Sequence, residues 1–135
     1  MASAAYDLAT YLQANGFGTV GKDIFVNVMD DKLDPSLTLM DYTGEPASRT
    51  INGGKIQSSP KVQALFRSQN SKGSHVALES IYSFLDGKAE VTINGSRYML
   101  ITALHEPVPL SRDEKDMVVY VVNFSCRRVS GEYPN

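Results

Sequence analysis

The chain has 135 residues, 42% of them apolar and 21% charged, and carries a net charge of −2 from 13 basic and 15 acidic side chains. This composition is typical of a single folded domain and excludes a disordered chain. The charge balance argues against a protein that grips nucleic acid over its whole surface, because such proteins carry a strong basic excess. A single cysteine, Cys126, excludes an internal disulfide.

Neither a membrane span nor a secretion signal is expected. No apolar run approaches the roughly 20 residues that a membrane helix needs. The first residues, MASAAYDLATYL, have no basic segment and include an aspartate. We therefore expect a protein that is made in a reducing cytoplasm and has no membrane partner.

The first forty residues predict one helix and two strands. Apolar residues at three- and four-residue spacing indicate a helix over residues 3–15, with Asp7 on its outward side. The segments 24–29 (IFVNVM) and 37–42 (LTLMDY) are rich in side chains that strands favour. Between them, the aspartate-rich residues 30–35 form a turn that ends in a proline.

Residues 43–60 (TGEPASRTINGGKIQSSP) show no apolar periodicity, so the sequence predicts a long flexible loop. A loop of this length inside a compact domain is uncommon and is usually functional or disordered, the alternative being a solvated loop with no role. We expect partner contacts at eight residues, seven from this loop and one from a second polar connection: Arg49, Thr50, Ile51, Asn52, Lys55, Ile56, Gln57 and Arg112.

The middle of the chain predicts a strand followed by a helix. Apolar and polar residues alternate over residues 61–68 (KVQALFRS), as expected of a strand. Ser74 is the expected N-cap of an amphipathic helix whose apolar positions recur every three or four residues. Gly87 is placed where a helix commonly ends.

The last third predicts a hairpin and a long final strand. Asn94-Gly95 lies between the β-prone runs 90–93 and 97–104, and this pair favours a type I′ hairpin turn. A polar connection over residues 106–116 leads to a strand over residues 117–128, which is apolar on both faces in its first half and therefore central. The element order predicts one α+β domain over residues 1–135, with a mostly antiparallel sheet, two helices packed on one side and one long loop.

Three side chains are suited to acid–base or nucleophilic catalysis: His75, His105 and Cys126. Nothing in their spacing ties a histidine to a nucleophile, and Cys126 lies in an apolar run, where a buried inert thiol is the common case. The acidic turn at residues 30–35 lacks the alternating ligands of a calcium loop. The sequence therefore predicts no enzyme, and no catalytic, cofactor or metal residues.

Two basic features of the sequence are candidates for contacts with phosphate. Gly53-Gly54-Lys55 lacks the GxxxxGK[ST] spacing of a phosphate loop. Arg127-Arg128, with Arg112 and Lys115 nearby in sequence, is suited to a phosphate backbone; alternatively these charges form a solvated rim paired with the acidic residues of the same connection.

The order of these segments resembles the tail terminator proteins of long-tailed bacteriophages, which are also called head–tail joining or minor capsid proteins. The resemblance covers residues 37–128. It rests on LTLMDYTGEP, the strand with VQALFRS, the helix ALESIYSFLDG, the Asn94-Gly95 hairpin and the run SRYMLITALHEPVPLSRDEKDMVVYVVNFSCRR.

The resemblance implies a structural virion protein that carries out no reaction. Such a protein forms a hexameric ring at the head-proximal end of the tail, stops polymerisation of the tail tube and docks to the filled head. The implied partners are further copies of the chain, the tail-tube protein, a head-completion or connector protein, and double-stranded DNA in transit. The loop over residues 43–60 is then expected to order at a neighbouring subunit or at the tube, with assembly in the host cytoplasm.

Two other functions stay open at this point. One is a head-completion or connector ring attached to the portal of the same kind of virus. The other is a small cytoplasmic domain that binds a ligand or catalyses a reaction in a cleft beside His105 and Arg97. A pocket of convergent polar groups with perturbed titrations would favour the last of these.

Overall fold

A computed structural model describes residues 3–29, 35–49, 56–110, 112 and 116–130 of the chain. This part contains two helices and seven strands: α1 (Ala4–Ala14), β1 (Ile24–Val26), β2 (Ser36–Arg49), β3 (Ile56–Ser68), α2 (Ser71–Leu85), β4 (Lys88–Ile93), β5 (Ser96–Ala103), β6 (Val108–Pro109) and β7 (Val118–Ser130).

The strands form one sheet in the order β1-β2-β3-β7-β5-β4, and β6 also pairs with β7. All neighbours are antiparallel except β1 and β2, which run parallel. The predicted α+β class with a mostly antiparallel sheet is therefore confirmed. The predicted central position of the last strand is also confirmed, because β7 has β3 on one side and β5 and β6 on the other.

Both helices pack against the same face of the sheet. Leu8 and Leu12 of α1 and Leu78 and Leu85 of α2 are fully buried in one apolar cluster. On β2, β3 and β7 the residues of that cluster alternate along their strands, as the strand period requires: Leu37, Leu39, Val62, Ala64, Val122, Phe124 and Cys126. The opposite face of the sheet carries a smaller buried cluster of Leu65, Val119 and Val121.

The prediction of an irregular loop over residues 43–60 is wrong. β2 continues to Arg49 and β3 begins at Ile56, so that most of this segment is a β-hairpin arm. Two register shifts in the β2–β3 ladder, one on each side of Glu45, each place an extra residue on β2. These shifts accommodate the glycine and prolines that hid the strand period, and β7 pairs with the start of β3 at Ile56. Residues 50–55, which include four of the predicted partner contacts, lie outside the described residues.

The cap of α2 is also different from the prediction. The side chain of Asn70 accepts hydrogen bonds from the backbone N–H groups of Lys72 and Gly73, at 3.0 and 3.2 Å, so the helix starts one turn before Ser74. Ser74 is instead fully buried and donates its hydroxyl to the carbonyl of Val118 on β7 at 3.3 Å. Its hydroxyl fixes the start of α2 against the sheet.

Other local predictions hold with shifted ends. Asn94 and Gly95 have φ of 51° and 82°, as a type I′ turn requires. β1 ends at Val26, three residues early, because Asn27 adopts a φ of 58° and leaves the strand conformation. β7 extends to Ser130 because β3 and β5 both pair with it there.

We expect Ile81→Ala to lower the free energy of unfolding by about 2–5 kcal/mol, because the side chain is 3% exposed in the cluster between α2 and the sheet. The matched control is Val76→Ala, a truncation in the same helix at a side chain that is 54% exposed. This control should change stability by less than about 0.5 kcal/mol. Urea unfolding of both variants makes the comparison, and equal losses would contradict the packing described here.

Candidate functional site

A fully buried carboxylate, Asp7 of α1, is the centre of a polar cluster in the core. Tyr98 on β5 donates its hydroxyl to Oδ2 at 2.6 Å, and Arg128 Nη1 on β7 lies 3.5 Å from the same oxygen. Asn94 Nδ2, in the β4–β5 turn, donates to Oδ1 at 2.9 Å. Arg128 Nη1 also lies 3.4 Å from the Tyr98 hydroxyl. The cluster therefore joins α1 to the hairpin and to the central strand.

The strand period explains how Arg128 reaches this cluster. Neighbouring residues of a strand point to opposite faces, so Arg127 is exposed while Arg128 is 6% exposed beneath α1. Arg128 Nε also donates to Ser58 Oγ at 3.2 Å, which ties the hairpin arm to the same cluster. The sequence-based interpretation of Arg127-Arg128 as one basic patch or rim is thus wrong, because only Arg127 faces solvent.

Sequence reasoning missed this cluster because it placed Asp7 on the outward side of α1. Burial raises the pKa of the Tyr98 phenol, and the hydrogen bond to Asp7 raises it further. The phenol therefore stays protonated and keeps donating to the carboxylate. The one signal in the sequence was an acidic residue in the first turn of a helix, where the helix dipole stabilises negative charge. That signal does not reveal the partners.

A second polar contact holds the start of α1. Asp41 of β2 accepts the backbone N–H of Ala5 at 2.9 Å and the side-chain amide of Asn27, also at 2.9 Å. Ser3 Oγ accepts the N–H of Tyr6 at 3.1 Å. The first turn of α1 is thus capped by groups of the chain itself, and this contact has a structural role.

Cys126 lies on β7 among apolar side chains and is 2% exposed. Burial raises the pKa of its thiol to about 12, although the nearby Arg128 acts in the opposite direction. A protonated buried thiol is neither a nucleophile nor an accessible ligand. The geometry assigns Cys126 to the core.

The cleft proposed beside His105 and Arg97 does not exist as one site. The two residues are eight positions apart along β5 and its continuation, which corresponds to about 26 Å of extended chain. Arg97 pairs with Glu90 at 3.2 Å, and His105 Nδ1 contacts the carbonyl of Glu106 at 2.7 Å. His75 lies 3.3 Å from Glu79 of its own helix, and its ring centroid is 5.2 Å from that of Tyr120 on β7. It lines a small cleft with Glu106 and Pro107, the residues that follow His105.

In the described part of the chain, no group of three histidine, cysteine or acidic side chains is placed to hold a metal ion. No described helix is both long and apolar enough to cross a membrane.

The residues predicted as partner contacts fall into two separate places. Arg49 and Ile56 form the last pair of the β2–β3 ladder, and Gln57 follows opposite Ser48. Arg112 Nη1 contacts Asp116 at the other end of β7, at 3.2 Å from its carbonyl and 3.5 Å from its carboxylate. Since β7 spans 13 residues, about 40 Å of strand separates the two places. Thr50, Ile51, Asn52 and Lys55 lie outside the described residues.

Comparison with known proteins gives one family and one fold. A family model described as bacteriophage tail terminator protein matches residues 11–129. No match was found among curated proteins. A chain in the solved structure of the virion of a native gene transfer agent (GTA) particle superposes with a TM-score of 0.64, covering 95% of this chain and 96% of that one at 13% identity. At this identity the structural match supports the fold alone.

We expect Asp7→Asn to lower the free energy of unfolding by about 3–5 kcal/mol, because it leaves the Arg128 guanidinium buried without its carboxylate. The double variant Asp7→Asn/Arg128→Met should lose about 1–3 kcal/mol less than the sum of the two single variants.

The exposed pair Glu90–Arg97 on the neighbouring hairpin is the control for this double-mutant cycle. Its side chains are 62% and 51% exposed, so solvent screens their attraction and a coupling below about 1 kcal/mol is expected. Chemical denaturation of both sets makes the measurement. Additive losses at Asp7 and Arg128 would contradict the assigned contact.

The raised pKa of the Cys126 thiol predicts that the folded protein loses stability at high pH. The unfolded thiol ionises near pH 9 while the folded thiol holds its proton to about pH 12. The folded state therefore binds more protons in this window, and stability falls as the pH rises through it. Relative to Cys126→Ala, the wild-type protein should lose about 1 kcal/mol between about pH 8.5 and 10. Because Tyr98 is present in both proteins, its titration largely cancels. The measurement is the free energy of unfolding of both proteins as a function of pH. An equal change with pH in the two proteins, or fast thiol labelling of the folded wild-type protein, would contradict the burial of Cys126.

Proposed function

This chain belongs to the bacteriophage tail terminator family, and we propose that it forms a hexameric ring that caps the tail tube, stops its polymerisation and joins the tail to the head. The protein is a structural component of a phage virion and not an enzyme. The position at the head-proximal end of the tail and assembly in the host cytoplasm are part of the proposal.

The family match carries this proposal. It extends over residues 11–129, which includes all of β1 to β6, the whole of α2, β7 except its last residue, and the last four residues of α1. The geometry agrees with a function that depends on surfaces, because three buried polar side chains, Asp7, Tyr98 and Arg128, hold elements of the fold together. A ring subunit needs two unlike contact surfaces, since identical copies then join head to tail and close by rotation.

We assign the β2–β3 hairpin arm to contacts with the tail-tube protein or a neighbouring subunit. From Tyr42 onward, β2 is paired with β3 on one side, and no described strand lies on its other side. The arm carries Arg49, Ile56 and Gln57, and the predicted contacts from Thr50 to Lys55 fall between its strands in the sequence. Arg112, at the far end of β7, would then face a different partner, the head-completion or connector protein.

The ring would let double-stranded DNA pass during ejection. A net charge of −2 suits such a channel, because each phosphate neutralised by a lysine or arginine would raise affinity and slow transit.

The test is to assemble tails from purified tail-tube protein with and without this protein, and to view them by electron microscopy. We expect tubes of defined length that end in a six-membered ring and accept filled heads, and overlong tubes when the protein is left out. Overlong tubes in its presence would refute the proposal.

Charge reversal tests the arm. Arg49→Glu and Lys55→Glu should impair capping while the melting temperature stays nearly unchanged, because the proposal assigns both charges to partner contacts and not to the core. Lys72→Glu is the matched control: it reverses an exposed charge at the start of α2, beside the opposite end of β3 from the arm. Normal capping by both arm variants would remove the arm from the mechanism.

A further inference from the structure

Large apolar side chains are exposed at both edges of the sheet. At one edge, Val28 and Met29 follow β1 and are 62% and 40% exposed; we call this pair the β1-edge patch. At the other edge, Leu104, Val108 and Leu110 are 51%, 42% and 47% exposed; we call these the β6-edge patch. Several large apolar residues clustered at an edge indicate an interaction surface more often than single scattered ones do.

The two patches lie at the same level of the sheet. A row of contacts crosses the sheet from Asn27, the residue before Val28, to Leu104. The N–H of Asn27 bonds to the carbonyl of Leu39, which pairs with Ala64, and Ala64 pairs with Val122 of β7. The carbonyl of the adjacent Asn123 accepts the N–H of Leu104. Four strand spacings separate the ends of this row, which corresponds to about 19 Å. Leu104 and Leu110 are held at that level because their N–H groups bond to the carbonyls of Asn123 and Val119.

The β6 edge is unsuited to strand addition. The N–H of Leu110 points to β7, so the alternating residues Pro109 and Pro107 occupy positions whose N–H would point outward. Proline has no N–H, and its presence at an edge discourages pairing with another strand. What this edge offers is therefore its apolar side chains.

We infer that the β1-edge patch of one copy packs against the β6-edge patch of the next copy, and that this contact joins neighbouring subunits of the ring. The inference rests on the proposed function. Each copy carries both unlike patches at one level of the sheet, so copies placed side by side bring the two together. A contact between unlike patches is heterologous, which is the kind that closes into a ring.

The contact needs more area than these side chains provide. A stable interface takes about 800 Å² from each partner, well beyond what two or three partly exposed residues contribute. The edge of β2 next to the β1-edge patch, on which no described strand lies, is placed to supply part of the remainder. The apolar patches would be the centre of the interface, where charged residues are depleted.

A mixing experiment tests both the patches and their polarity. Val28→Asp breaks the β1-edge patch, and Leu104→Asp breaks the β6-edge patch. Each variant alone should need more than a tenfold higher protein concentration to form rings, because an unpaired carboxylate is buried at the contact. An equimolar mixture retains one intact patch of each kind and should form a 1:1 dimer of twice the 14.8 kDa chain mass, seen by native mass spectrometry.

Val76→Asp is the matched control, since Val76 is 54% exposed on α2 and belongs to neither patch. It should form rings like the wild-type protein. Melting temperatures check that all three variants fold.

Cross-linking gives a second measurement that does not depend on affinity. A Val28→Cys/Leu104→Cys chain in a Cys126→Ala background should oxidise on capped tails into a covalent ladder up to six chains, whereas either single-cysteine chain should give no ladder.

If the wild-type protein forms rings but no ladder appears, or if both aspartate variants still form rings, this inference is overturned while the proposed function stands. Patch variants that form rings but no longer cap tubes would assign the patches to the tube protein, and would also overturn it. A wild-type protein that forms no ring in solution or on tubes would refute both.

Discussion

The pairing of β3 with β7 is the constraint on which the rest of the structure depends. These two long strands pair from Ile56 and Ser130 at one end to Ser68 and Val118 at the other, and each has a further strand on its outer side. One face of the pair carries Val62, Ala64, Val122 and Phe124, which both helices cover. Its length also supports the hairpin arm, because β7 runs beside the β3 strand of the arm as far as Ile56. Shortening this pairing would remove the support of the arm and the common platform of the helices together.

The Asp7–Arg128 contact fixes where α1 lies on that platform. Apolar burial is non-directional, so the leucines of α1 alone would permit several orientations on the sheet. A buried ion pair contributes little net stability, yet breaking it is costly, and this asymmetry disfavours any docking that separates the two charges. The pair also reaches Ser58 of the arm and Asn94 of the β4–β5 turn, so the same cluster positions elements at both ends of the strand order. We regard its role as specificity of packing, which the double-mutant cycle can measure.

The buried polar chemistry of this protein serves the fold, and its function is assigned to surfaces. The cysteine is protonated and enclosed, and the buried arginine is held by a carboxylate. His75 contacts Glu79 and the ring of Tyr120, and His105 contacts the carbonyl of Glu106. The arm and the Arg112 segment lie at opposite ends of β7, and the two edge patches lie on opposite sides of the sheet. An assembly protein that contacts several partners requires such a separation, because each partner must be bound without displacing another.

The sequence by itself determined the local elements and the family. Apolar periodicity located both helices, the Asn94-Gly95 pair located the hairpin turn, and the order of segments identified the tail terminator family. These features depend on residues close together in the chain, where spacing and turn chemistry act directly.

Tertiary structure decided the rest. Residues 43–49 and 56–60 are strands because β3 and β7 provide pairing that overrides their weak local preference, with register shifts that accommodate the glycine and prolines. Asp7 is buried, contrary to its expected outward position, because Tyr98 and Arg128, more than 90 residues away, supply the hydrogen bonds that make burial of its charge tolerable. The edge patches became visible only when the strand order placed Val28 and Leu104 on opposite sides of one sheet, since no spacing in the sequence records which strands lie at its edges.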